Sequence, residues 1–203
     1  MSMKQTQQPT HQHHSEEILV VRRKVLFQDI PAWQGLQTNS FNDFVTNIEK
    51  NAAFMPRAHA ETNPQYKQII PYIIFTYNNK YFVMQRKSTA SEQRLANKYS
   101  LGIGGHIRQE DITNNNIFDW AQREFEEEVS YTGSLKISQL GVLNDDTTEV
   151  GKVHLGMVLL AQGNNDNITI KDEHKSGTML TLDECIALAP HMEMWSQLIL
   201  KEL

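Results

Sequence analysis

The stretch from Gly104 to Tyr131 concentrates the residues of this chain best suited to chemistry. Two glycines, Gly104 and Gly105, precede a segment that ends Arg123, Glu124, Phe125, Glu126, Glu127, Glu128. At about 100° per residue, a helix here puts Glu124, Glu127 and Glu128 at i, i+3 and i+4, on one arc of roughly 100°. Ala121, Phe125 and Val129 recur every four residues and supply an adjoining apolar stripe that holds such a helix against a core. Like charges at this spacing repel, and a divalent cation turns that repulsion into attraction. Hard Mg²⁺ prefers oxygen ligands and keeps positions open for water or phosphate oxygens. An acidic run alone is most often a solvated helix face. The glycine pair just ahead of it shifts the balance, because glycine lets the backbone turn tightly and approach another group closely.

These residues resemble the signature of the Nudix hydrolases: a glycine, five residues, a glutamate, seven residues, then Arg-Glu-apolar-any-Glu-Glu-any-Gly-apolar. Gly105 takes the first place and the nine residues 123–131 take the last nine. Asp111 stands where the first glutamate belongs, with Glu110 beside it. Residues 112–122 replace the shorter spacer, and Ser130 replaces the closing glycine. The added length falls in the turn-forming run Thr113, Asn114, Asn115, Asn116, which also suits a helix cap. The stretches KQIIPYIIF (67–75), EQRLANKYSLGIGGHI (92–107) and LNDDTTEVGKVHLGMV (143–158) extend the resemblance to a bacterial branch of Nudix proteins described only as predicted phosphoesterases.

The resemblance implies an α/β fold, a Nudix-type alpha/beta/alpha sandwich with a mixed sheet. It also implies hydrolysis of a phosphoanhydride in a small nucleoside diphosphate-type compound, by water attack on phosphorus. By the same analogy Glu124, Glu127, Glu128 and the main-chain carbonyl of Gly105 hold Mg²⁺, or Mn²⁺ as a substitute. Glu127 or Glu124 is then a candidate for the water's proton, and Arg123 fixes the rotamer of a neighbouring glutamate. In some relatives the base lies on a later loop, where this chain has Asp145, Asp146 and Glu149; the plainer reading there is a turn. Arg86, Arg94 and Lys98 are the candidates for substrate charge, and His106, directly after the glycines, for a phosphate contact. His154 reads as a packed strand histidine and Trp120 as core.

The remaining pattern supplies the frame. Residues 1–17 are polar and are expected to be a disordered tail, with no role assigned to His11, His13 and His14. Residues 18–203 are expected to form one Nudix domain with an N-terminal extension over 18–68 and C-terminal helices over 181–203. Strands are expected at 18–27, 69–77, 81–85, 99–103, 135–143 and 152–161, with a hairpin turn at Asn78, Asn79 and Lys80. Helices are expected at 40–49, after the cap at Thr181 with Glu184 three residues on, and beyond Pro190. From their position alone, Phe54, Met55, Pro56 and Arg57 are expected to cover the pocket and set selectivity.

With 203 residues, 39% hydrophobic and 21% charged, the chain can bury a real core. A formal charge of −5 argues against nucleic acid as a partner. No apolar run reaches the roughly 20 residues that cross a bilayer, and no signal-peptide core opens the chain. One cysteine, Cys185, suits a cytoplasmic setting. Dimers are frequent in this fold, which makes a homodimer the expectation. Two other functions compete. A non-catalytic nucleotide sensor would tolerate the departures from the signature but need not keep three mutually repelling carboxylates. Isopentenyl diphosphate isomerase shares the fold, but as known it needs a cysteine upstream of the acidic helix, and Cys185 lies far downstream.

Overall fold

In a computed structural model, the protein is described over residues 16–87, 95–112, 116–171 and 174–203, without the side chain of Asp111. Arg94, the three tail histidines and Thr113 to Asn115 therefore lie outside the described residues. In chain order the first elements are β1 (Glu17–Arg22), α1 (Arg23–Leu26), β2 (Gly35–Gln37), α2 (Phe41–Asn51), β3 (Ala53–Pro56) and α3 (Arg57–Ala60). Then come β4 (Tyr66–Tyr77), β5 (Lys80–Arg86), β6 (Tyr99–Ser100), β7 (Gly102–Gly104), α4 (Ile117–Glu128), β8 (Val129–Tyr131) and β9 (Leu135–Asn144). The chain finishes with α5 (Glu149–Val153), β10 (His154–Gly163), β11 (Ile168–Ile170), β12 (His174–Thr181), α6 (Leu182–Leu188) and α7 (Met194–Ile199).

The centre is the parallel pair β4 and β10, in register from Gln68 opposite His154 to Thr76 opposite Gln162. Among the described residues every other strand pairing is antiparallel, so the sheet is mixed, with a spine of β12, β5, β4, β10, β9 and β2. The free edge of β4 is divided among three strands. β1 pairs with its start, β7 with Tyr72 to Ile74, and β5 with its end. Parallel strands are covered on both faces, and β4 reads accordingly as an almost unbroken apolar run.

Strand alternation sorts that run into two layers. Ile69, Ile73 and Phe75 face α2 and α4 together with Leu155, Met157 and Leu159 of β10. Ile70, Tyr72 and Ile74 face the other way, against Cys185 of α6 and Trp195, Leu198 and Ile199 of α7. The result is the helix, sheet, helix layering expected of the fold. Phe125 of α4 stacks on Phe75 with ring centroids 6.1 Å apart, and burying such a ring contributes about 2–3 kcal/mol. Trp120 sits in the same buried layer, as its position in the helix pattern suggests.

Several boundaries differ from the sequence expectation for local reasons. The first strand ends at Arg22, not at residue 27, and α1 follows; Arg23 turns inward to pair with Asp146. The strand expected at 99–103 breaks at Leu101, whose N–H donates to Ser196 Oγ at 2.8 Å instead of a strand neighbour. The strand expected from 152 starts at His154, because Thr148 caps α5 by accepting from Gly151 N–H. The hairpin turn is the two-residue kind, with Asn78 and Asn79 at positive φ, a conformation asparagine tolerates. The short strands β2, β3, β8 and β11 carry too little periodicity to be seen in the sequence. Among the described residues no helix is long and apolar enough to cross a membrane.

Candidate active site

A cleft of about 570 Å³ opens where the glycine turn after β7 meets α4, a size that suits a small-molecule ligand. Gly104, Gly105, His106, Glu124, Glu127 and Glu128 line it. The turn is seated on β4 so closely that a Cβ at Gly104 would fall 2.3 Å from the carbonyl oxygen of Pro71. α4 starts at its cap, Asn116, whose side chain accepts from Phe118 N–H at 2.9 Å. Its apolar stripe then fixes the rotation that presents the acidic face to the turn.

The three glutamates share the cleft but not the same environment. Glu124 is buried against the turn, where a Cβ on Gly105 would overlap its carboxylate. Burial pushes its pKa up to about 7; Arg123 works against that rise and Glu127 adds to it. Glu127 is exposed and accepts from Arg123 at 2.7 Å and Arg108 at 3.0 Å. Glu128 is buried, with His174 3.7 Å from its Oε2. Arg123 joins these parts: it bonds Glu124 and Glu127 and donates to the carbonyl of His106 at 3.1 Å. The helix is thus clasped to the glycine turn by one guanidinium.

Facing the acids are Arg57, Arg86, Lys98 and Arg108. Arg86 and Lys98 were legible as candidates; Arg57 was legible only as part of a pocket-covering segment, and Arg108 not at all. Arg86 lies 3.6 Å from the buried Glu193, which accepts from Tyr72 and Ser100 hydroxyls at 2.7 Å each. Trp195 adds an aromatic wall, edge-on to Tyr72 at 5.5 Å, and its indole N–H makes no hydrogen bond among the described residues. A single tryptophan near the C-terminus carries no sequence signal for this.

The later acidic residues divide. Asp145 is fully buried and accepts from Gln34, Thr147 and Thr148, the bonding of a turn. Burial opposes its charge, but these bonds prevail and hold the carboxyl below its ordinary range. Asp146 pairs with Arg23 at 2.6 Å and with buried Lys67 at 3.0 Å. Neither aspartate lines the cleft, whereas Glu149 does and also bonds Lys152 at 2.5 Å. Cys185 is the buried residue of α6 and lies off the cleft.

His154 is packed and hydrogen-bonded, its Nδ1 2.7 Å from the carbonyl of Val150, yet it also lines the cleft. Its Nε2 stands 3.4 Å from Nε2 of His106. Burial, with Arg57 and His154 nearby, pushes the His106 imidazole well below its usual pKa.

No family model matches the chain. It is 30% identical over 200 residues to Protein YmaB of Bacillus subtilis (strain 168), covering 91% of this chain and 95% of that protein. Among solved structures, Tm1382, described as a candidate Nudix hydrolase, is 30% identical and superposes with a TM-score of 0.77 over 92% of this chain and 97% of that one. The Nudix domain of Shewanella oneidensis NrtR, solved with ADP ribose, shares the fold at 12% identity and a TM-score of 0.54, over 66% of this chain and 84% of its own. The glycine turn, the arginine-clasped acidic helix and an identity of 30% to Tm1382 across nearly all of both chains agree, and the chain belongs to the Nudix hydrolases.

Proposed function

We propose that this protein hydrolyses a phosphoanhydride bond in a small nucleoside diphosphate-type compound, with Mg²⁺, or Mn²⁺ in its place, held by Glu124, Glu127, Glu128 and the carbonyl of Gly105. The observation that carries this reading is the seating of Glu124 in space that only a glycine at 105 leaves open. The donor set is all oxygen and mostly charged, which suits a hard dication. A buried carboxylate such as Glu124 carries a desolvation cost that a bound cation offsets. When bound, such an ion neutralises phosphate charge and lowers the pKa of water.

The chain's own residues supply the rest. Arg123 orients Glu124 and Glu127 and ties them to the turn. Glu127, the most exposed of the three glutamates, is placed to take a proton from water in the cleft. Arg57, Arg86, Lys98 and Arg108 line the walls that a diphosphate would meet. Trp195 offers an aromatic face to the rest of the substrate. ADP ribose bound to the NrtR domain shows that this fold accommodates such a compound in a relative.

The test is turnover of a panel of nucleoside diphosphate compounds, ADP ribose included, with product detected by phosphorus NMR. Mg²⁺-dependent release of two monophosphate products is expected, abolished by chelator and cut by at least about hundredfold in Glu124→Gln and Glu127→Gln. No turnover across the panel, or full activity in both variants, overturns the reading.

A further inference from the structure

Among the described residues, one set of three carboxylate or imidazole groups has its ligand atoms all within 4.8 Å of one another, and it is not the acidic helix. The set is Glu61, His106 and His154. We propose that these three residues bind one transition-metal dication of zinc character, with a coordination position open to the cleft.

The distances fit such an ion. Metal–nitrogen bonds of about 2.05 Å in a tetrahedral shell separate two ligand nitrogens by about 3.3 Å. The two Nε2 atoms are 3.4 Å apart. Glu61 Oε1 is 3.8 Å from His106 Nε2, about half an ångström wider than that edge, and its ligand atom lies within 4.8 Å of that of His154, so the glutamate side chain must rotate inward to ligate. Two imidazoles and a carboxylate form a donor set that borderline metals use, whereas Mg²⁺ favours oxygen alone.

The surroundings prepare the ligands. A carbonyl only accepts, so His154 Nδ1 carries the proton it shares with Val150, and in the neutral ring Nε2 presents its lone pair to the cluster. An outer hydrogen bond of this kind fixes tautomer and orientation in metal-binding histidines. Three separate elements converge here: α3 ends beside Glu61, His106 follows the glycine turn, and His154 opens β10 opposite Gln68. Without metal, His106 Nε2 lies 2.8 Å from Gln68 Oε1, so metal binding must displace that bond and move the His106 ring proton to Nδ1. Arg57 also approaches Glu61 Oε1, at 3.6 Å, and its charge weakens binding relative to an isolated triad. Both histidines line the cleft, so a fourth ligand, water or an anionic oxygen, reaches the ion from there.

The test needs no substrate and stands apart from the hydrolysis reading. In the full-length chain with His11, His13 and His14 replaced by alanine, Co²⁺ serves as a spectroscopic probe and Zn²⁺ as its competitor. One equivalent of Co²⁺ should give a visible ligand-field band of low-symmetry character, displaced by one equivalent of Zn²⁺. The band should disappear in His154→Ala and weaken at least about tenfold in apparent affinity in Glu61→Gln, a substitution near the surface that leaves the core intact. It should persist in the Glu124→Gln, Glu127→Gln double variant. Circular dichroism of each variant reports whether the fold is kept. A parent protein without the band overturns the proposal. So does a band unchanged by Glu61→Gln and His154→Ala, or one lost only with the helical glutamates.

Discussion

Gly105 and Glu124 occupy one shared space: a Cβ built on the glycine would lie 2.1 Å from Oε2 of the glutamate. Gly105→Ala must therefore push the carboxylate, the turn or both out of place. The expected result is a loss of about hundredfold in kcat/KM, worth about 2.7 kcal/mol, with the circular dichroism spectrum unchanged. Steady-state kinetics on whichever diphosphate the panel identifies measures it.

Arg123 reaches Glu124, Glu127 and the His106 carbonyl at once, a task that needs a planar fork. Arg123→Lys keeps the charge but cannot make all three bonds. Activity should fall by roughly 10–100-fold, with a matching rise in the Mg²⁺ concentration needed for half-maximal rate. Equal loss at all Mg²⁺ concentrations would show that the arginine acts on substrate instead.

Asp146 provides an acid-sensitive fastening away from the cleft. Burial opposes its charge, but hydrogen bonds from Arg23 and Lys67 hold its carboxyl far below the usual range. A depressed folded-state pKa gives stability that is present above the unfolded value of about 3.9 and is lost as pH falls through the folded one. Lys67 contributes with the opposite sign: burial lowers its pKa to about 8, so its cost is relieved as pH rises from there toward about 10.4. Asp146→Asn should lower stability at neutral pH by about 2 kcal/mol and Tm by roughly 4–8 °C. Its stability should also decline less steeply below pH 4 than the parent's, as thermal melts across pH will show.

Thr181 caps α6 and Glu184 answers it, a reciprocal pair on the far side of the sheet from α4. Thr181→Ala should cost about 1 kcal/mol and leave kcat/KM unchanged, which separates global stability from site geometry.

What could be seen in the sequence depended on how local the signal was. The register of Glu124, Glu127 and Glu128 follows from helical spacing, and the capping box at Thr181 lies within four residues. Asn78 and Asn79 announce their turn by residue type alone. Contacts between distant segments left no such trace. Glu61, His106 and His154 meet only after α3, the glycine turn and β10 are assembled; His106 stood out only for a phosphate contact, and Glu61 and His154 taken singly look like ordinary surface or packed residues. Arg108 gives no hint of Glu127 across the turn, and Asp146 reads as a loop residue until Lys67 is found buried beneath it. Arg94, named for substrate charge, falls outside the described residues.

The bonds that set the glycine strand come from very late in the polypeptide. Ser100 donates to Glu193, and Leu101 donates to Ser196, across 93 and 95 positions. The strand that leads into the turn is therefore only as well placed as α7 is docked, and loosening α7 should disturb the turn and the sheet face it covers together.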